Sequence, residues 1–280
     1  MNRFTVIALM TSFLLPSFRV EAIASSNNWT QVTNTAPWGG RWGHAAVVFN
    51  DQMWVLGGFD GRNYNEVWAS TNGLDWTQVT NEARWSARRG HAAVVLNGQM
   101  FVLGGDDGVR RNDVWASTNG LDWTEVTSAA PWSVRARHAA VVLNNQMWIL
   151  AGDDNGAFRD YVWSSTDGLN WTQVTNAAPW SARRAHAAVA LNGLMWVLGG
   201  YNGVNFNDVW SSTNGLDWTQ VTNAAPWSAR NSHAAVVLND QMWILGGDDG
   251  ATFRNDVWTT GVYPYVVGAR LGQFFLFQKQ

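Results

Sequence analysis

The sequence predicts an all-β fold, five four-stranded antiparallel blades set around an axis, and three observations carry the prediction. One stretch recurs five times, with its tryptophan at Trp29, Trp76, Trp123, Trp171 and Trp218 and its histidine at His44, His91, His138, His186 and His233, so the period is 47 residues with one of 48. Within each unit, short apolar runs alternate with Asn-Gly-like and Gly-Gly signals, the pattern of strands and tight turns. A unit of this size cannot bury both faces of its own sheet, so like neighbours must stack on it, and radial stacking of such sheets makes a β-propeller.

The second unit shows the elements in order. His91 leads into Ala92-Ala-Val-Val-Leu96, a continuous apolar run expected of a strand covered on both faces. Asn97-Gly98 then accepts the positive φ of a hairpin turn, as do Asn50-Asp51, Asn144-Asn145, Asn192-Gly193 and Asn239-Asp240 in the other units. A second strand, Met100 to Leu103, ends at Gly104-Gly105, where two backbones can approach closely. A turn of variable sequence leads to the third strand, Asp113 to Ser117. Thr118-Asn-Gly120 then turns the chain into an outer strand at Trp123 to Val126.

Arg-x-x-His before the inner strand, the double glycine, the Asn-Asp-Val-Trp strand and the tryptophan after it resemble the kelch repeat, over all five units from about residue 29 to 260. The third unit departs from the pattern, with Ala151-Gly152 for the double glycine and Asp160-Tyr161-Val162 for Asn-Asp-Val. Ser70 to Trp76 and Ser165 to Trp171 are similar to the Asp-box turn of sialidase-like propellers, one residue shorter than its usual spacing. In that family the box is a structural turn, so the resemblance carries no catalysis.

After Trp258 the fifth unit lacks the outer-strand motif, and a spare copy, Trp29-Thr-Gln-Val32, stands near the N-terminus. The expected closure therefore pairs Trp29 to Val32 with the strand at Asp256 to Trp258, which leaves no bare edge. The expected domains are a signal peptide at 1–24, the propeller at 25–260 and a tail at 261–280. The tail is either an added strand on the rim or a docking segment, and a sixth sheet made from it stays open.

A net charge of −3 with interspersed signs points to neither nucleic acid nor a membrane surface as partner. The absence of cysteine excludes disulfides, thiolate metal sites and a cysteine nucleophile. Met1-Asn-Arg3, the apolar run Phe4 to Phe18 and the small-x-small site Ala22-Ile-Ala24 read as an export signal, so the chain is expected to be secreted or periplasmic, with no membrane insertion of its mature form. The apolar run is shorter than the ~20 residues a spanning helix needs. Asn28 and Asn170 begin formal glycosylation sequons.

Strand parity puts the connections into the inner strands and the second-to-third-strand turns on one face. Of 15 arginines beyond residue 24, 14 fall there: Arg41, Arg62, Arg84, Arg88, Arg89, Arg110, Arg111, Arg135, Arg137, Arg159, Arg183, Arg184, Arg230 and Arg254. The opposite turns carry acids without cations, Asp51, Asp75, Asp122, Asp167, Asp217 and Asp240 among them. The arginine face also holds most of the variation between units, which is where a repeat protein discriminates partners.

Three sets supply the expected ligand-binding residues. Arg41, Arg88, Arg135, Arg183 and Arg230 each precede the histidine by three. They form either a ring of anion-binding guanidinium groups at the channel mouth or ion pairs with turn acids such as Asp106, Asp107, Asp153, Asp154, Asp248 and Asp249. Trp38, Trp85, Trp132, Trp180 and Trp227 lie between blades, either exposed to stack on sugars or buried as wedges. Tyr64, Arg110, Phe158, Tyr201 and Phe253 come from the variable turns. The histidines are expected to pack at strand starts. The Asp-Asp-Gly turns lack the alternating acids of a calcium loop, so no metal and no cofactor is expected.

The expected function is a non-catalytic binding module that presents five similar sites to a protein or an anionic glycan, gaining avidity on a repetitive target. The alternative is a carbohydrate-active enzyme. The resemblance to exported kelch-like propellers implies a sialic acid mutarotase, while galactose-oxidase-like copper chemistry is disfavoured because its cross-link needs a cysteine. A scaffold without a small ligand is the third class. No residue is assigned to catalysis, because near-identical units offer little that is unique to one blade.

Overall fold

A computed structural model describes residues 31–260 and the backbone of a short strand at 277–279. The expected signal peptide, Asn28, Trp29, Thr30 and most of the tail lie outside the described residues. Regular structure among the described residues is all strand, and it forms a β-propeller of five four-stranded antiparallel blades. Blade 1 consists of Ala45–Phe49, Gln52–Phe59, Asn63–Ser70 and Thr77–Thr80. Blade 2 consists of Ala92–Leu96, Gln99–Asp106, Arg110–Ser117 and Thr124–Thr127. Blade 3 consists of Ala139–Leu143, Gln146–Asp154, Ala157–Ser165 and Thr172–Thr175, and blade 4 of Ala187–Leu191, Leu194–Tyr201, Asn205–Ser212 and Thr219–Thr222. Blade 5 consists of Ala234–Leu238, Gln241–Asp248, Phe253–Thr260 and Phe277–Lys279.

Local chemistry explains each turn. At the first hairpin, Asn97 and Gly98 have φ of 50° and 73°, and Asn144-Asn145 follow at 52° and 58°, the paired positive values of a type I′ turn. At the double glycine the pairing register shifts, between Leu103 and Gly105 in blade 2 and at the matching place in the other four blades. A Cβ on Gly104 would stand 2.8 Å from the Arg111 carbonyl oxygen and 3.0 Å from that of Arg135, so in blade 2 glycine suits the bulge for space as well as for its φ of 53°. Blade 3 holds Ala151 there at φ 58°, a conformation that costs an L-residue energy.

Consecutive blades are joined at their centre. The first strand of each blade packs against that of the next, and the residues just before the histidines form a girdle of backbone bonds. Gly90 donates to Gly43 at 2.7 Å, Arg137 to Gly90 at 2.7 Å, Ala185 to Arg137 at 2.8 Å and Ser232 to Ala185 at 2.8 Å. The apolar core lies in four clusters, each shared by two neighbouring blades. Trp85, Trp132, Trp180 and Trp227 are at most 1% exposed. Trp85, Trp132 and Trp180 meet the outer-strand Trp123, Trp171 and Trp218 edge to face at 6.0, 6.0 and 5.7 Å.

The last blade differs from expectation. Its outer strand is Phe277–Lys279, with Trp258 opposite Lys279 and Thr260 opposite Phe277. Gln31 and Val32 are not in a strand. An open edge offers only backbone donors and acceptors, so pairing there does not demand the repeat's own sequence. The ends of the series are also less covered than its middle. Val236 and Leu238 are 43% and 57% exposed, whereas Val94 and Leu96 of blade 2 are 6% and 4% exposed, and Val48 of blade 1 is 70% exposed.

Candidate functional site

The arginines three before the histidines are inside the blades. Arg88 bonds Asp113 through both terminal nitrogens at 2.6 and 2.7 Å and also donates to the Gly104 carbonyl at 2.8 Å. Arg183 holds Asp208 at 2.6 and 2.8 Å, Arg230 holds Asp256 at 2.5 and 2.9 Å, and Arg41 bonds Glu66 at 3.0 Å. Their partners are thus the acids of the third strand, not those of the turns. Each carboxylate is engaged further, Asp113, Asp208 and Asp256 each accepting an indole N–H at 2.8 Å. The Arg230 bonds, together with that of Trp258, hold the Asp256 carboxyl down to about 2 against the effect of burial.

Blade 3 breaks this pairing. Tyr161 stands where the others have an acid, and Arg135, fully buried, bonds the Ala151 carbonyl at 2.7 Å and Ser133 instead. Burial lowers the Arg135 guanidinium to about 10, Asp154 opposing that fall and Arg159 adding to it. The Trp163 indole N–H, deprived of the same acid, has no partner among the described residues.

The histidines pack on the wedge tryptophans, His91 on Trp85 at 5.8 Å and His233 on Trp227 at 5.9 Å. Burial, reinforced by the neighbouring arginine, lowers His91 and His186 to about 3 and His233 to about 4, and holds His138 well below its usual value. They are neutral near pH 7 and enclosed, which suits packing rather than proton transfer to a ligand.

A different set of arginines reaches the loop face. The residue two before each histidine pairs through its backbone with the end of its own blade's second strand, as Arg89 does with Asp106 and Arg184 with Tyr201. This fixes where their side chains begin. Arg110 forms an ion pair with Asp106 and reaches Asp153 of blade 3 at 3.3 Å. Arg184 bonds the same Asp153 oxygen at 2.6 Å, and Arg89 lies 3.5 Å from Asp106. Arg137 projects from the girdle near this chain of charges. Burial and then Arg184 and Arg110 lower its guanidinium, with Asp153 opposing.

Aromatic rings flank the arginines. Arg89 lies over Phe59 at 4.4 Å and Trp42 at 5.2 Å, and Arg184 over Phe158 at 5.3 Å and Tyr201 at 5.6 Å. Phe158 and Tyr201 meet edge to face at 6.2 Å. Burial opposes ionisation of Asp153, but the Gly156 N–H, Arg184 and Arg110 outweigh it and hold the carboxyl below its usual value. Four guanidinium groups, Arg89, Arg110, Arg137 and Arg184, therefore share two carboxylates, and the patch carries a surplus of positive charge.

Of the expected residues, Arg110, Phe158 and Tyr201 come together in this patch. Tyr64 stacks against Arg41 at 4.3 Å and Arg62 at 4.7 Å in blade 1, and Phe253 is 89% exposed on blade 5. Trp38 is half-buried against Trp76 at 5.8 Å. Arg89, Arg137 and Arg184, which the sequence places on the arginine face, were left out of the expected ligand-binding residues. Their signal was difference: Trp42-Gly43, Arg89-Gly90, Ala136-Arg137, Arg184-Ala185 and Asn231-Ser232 vary while the arginine before them does not. Among the described residues no group of three His, Asp or Glu is placed to hold a metal ion.

A family model, the KLHDC2/KLHL20/DRC7 Kelch-repeats domain, matches residues 17–152 and 137–263. No curated protein matches the chain. Among solved structures, that of YjhT is similar in fold, with a TM-score of 0.70 at 16% identity over 87% of this chain and 85% of that one.

Proposed function

The chain belongs to the kelch-repeat family, and we propose that it is an exported, non-catalytic binding module whose loop face takes one anionic ligand, a glycan that carries carboxylate groups. The surplus of guanidinium groups over carboxylates at Arg89, Arg110, Arg137 and Arg184 carries the proposal. Planar guanidinium forks suit carboxylates, and the rings of Phe158, Tyr201 and Trp42 offer apolar faces to a sugar. Export rests on the basic start, apolar run and small-x-small site of residues 1–24. On the loop face the arginines, histidines and wedge tryptophans common to the units are interior in blades 2 to 5, whereas the accessible residues differ from blade to blade, and this favours one site over five equal ones.

The alternative, an enzyme acting on a carboxylated sugar such as a sialic acid mutarotase, would use the same arginines. It is the less supported reading because the nearby carboxylate, Asp153, is committed to two of them and the histidines are enclosed. A glycan array followed by calorimetry on the mature protein tests the proposal. Acidic glycans should bind and their neutral counterparts should not. Arg137→Ala with Arg184→Ala should weaken binding about 10²-fold, and Asp75→Ala with Asp217→Ala should leave it unchanged. Preference for neutral glycans would refute the site, and anomerisation of a sialic acid above its uncatalysed rate would establish the enzyme.

A further inference from the structure

The face opposite the arginines has a feature of its own where blades 2 and 3 meet. The third residue of the second strand is Trp54, Trp148, Trp196 and Trp243 in four blades and Phe101 in blade 2. The indoles of Trp54 and Trp148 donate to the last carbonyl of their own first strand, at 2.9 and 3.2 Å, and press on the turn of the following blade. A Cβ on Gly215, for example, would stand 2.5 Å from the Trp148 ring. Phe101 is a ring shorter and has no N–H to give Leu96.

A half-open cleft of about 370 Å³ lies at this junction, with Phe101, Val126, Thr118, Thr124, Asp122 and Asp167 on its walls. Asp167 is itself a departure. The matching residues are Asn72, Asn119 and Asn214, and blade 3 exchanges the turn's Asn and Asp so that Asn170 stands where the others have the acid. Two turns therefore each set a carboxylate on one cleft. Both are anchored, Asn119 donating to Asp122 at 2.9 Å and Asn170 to Asp167 at 2.8 Å. Burial opposes ionisation of Asp167, but the Asn170 and Leu169 N–H groups hold its carboxyl below its usual value. The ion-paired arginines all belong to the other face.

We propose that this cleft is a second binding site, for a small hydroxylated amine, an amino sugar whose nitrogen is free. Its volume is at the small end of the range for small-molecule sites. Two carboxylates on one cleft select an ammonium ion, the threonine hydroxyls and the exposed Asp122 carboxylate suit ring hydroxyls, and Phe101 with Val126 offers an apolar wall to the sugar's C–H face.

Calorimetric titration of the mature protein at low salt with glucosamine, N-acetylglucosamine and glucose tests it. Glucosamine should bind, and the other two at least about tenfold more weakly, since neither carries a charge. Phe101→Trp fills the cleft with the residue of the other four blades and should abolish glucosamine binding. Asp167→Asn installs the residue of three other blades and should weaken it at least about tenfold. Both substitutions use residues the fold accepts elsewhere, so unchanged thermal melting certifies folding. Acidic-glycan binding at the arginine patch should be unaffected by either, which separates the two sites. No glucosamine binding, equal binding of the N-acetyl form, or full binding by Phe101→Trp would each overturn the proposal.

Discussion

Arg88 and Asp113 meet inside blade 2 through two parallel bonds, Nη1 to Oδ1 at 2.6 Å and Nη2 to Oδ2 at 2.7 Å, with the arginine 1% exposed. Removing one partner strands a charge that water cannot reach. Asp113→Ala should therefore cost about 3–5 kcal/mol, and replacing both residues with apolar ones should cost much less than the two single losses combined. Urea denaturation of the two single variants and the double variant measures this. Additive losses would mean that the pair is not coupled.

Blade 3 provides the converse test. Tyr161→Asp should give Arg135 and the Trp163 indole the acid that their counterparts in blades 2, 4 and 5 share, raising stability by about 1–3 kcal/mol. A melting temperature that falls instead would show that the Tyr161 ring contributes more than the missing ion pair.

Acid should unfold the propeller early, and the sign follows from the histidines. Each of the four enclosed ones has a folded value below the ordinary 6.5. The unfolded chain therefore binds more protons, and stability is full above pH 6.5 and falls as pH drops through that value toward 4. The limiting slope is about 1.4 kcal/mol per pH unit for each histidine. Asp256, depressed to about 2 from 3.8, adds a separate loss only below that ordinary value. Urea unfolding free energies from pH 4.5 to 7.5 check the slope, and a pH-independent value across that range would refute the linkage.

Truncation before residue 277 should bare the edge of Phe253–Thr260 and speed amide exchange at Trp258 and Thr260. Truncation of residues 25–33 should leave those amides protected. The reverse result would return the closing strand to the N-terminus.

The blades were legible because their determinants repeat: the hairpin asparagines and the apolar runs stand at the same place in each unit, and the double glycine in four of the five. Even the blade 3 departure was visible as Tyr161, although its consequence, an arginine without an acid, needed coordinates. The partner of Arg88 was less accessible. Turn acids such as Asp106 are nearer in sequence, and only the fold brings Asp113 across two strands to meet it. The arginine patch was least legible, because Arg89 and Arg184 stand at a position that varies from unit to unit and Arg137 stands one residue further on, and what unites them is convergence of three blades on Asp106 and Asp153. The closing strand could not be inferred from motif, since edge pairing is a property of the main chain.

Trp42, Arg89, Ala136, Arg184 and Asn231 make the same pair of backbone bonds to Phe59, Asp106, Asp153, Tyr201 and Asp248. Indole, guanidinium, methyl and carboxamide groups all ride on one unchanging frame. Specificity on this face is thereby uncoupled from foldability: a lineage, or a designer, can rewrite the chemistry at these five positions one codon at a time while the architecture beneath stays fixed.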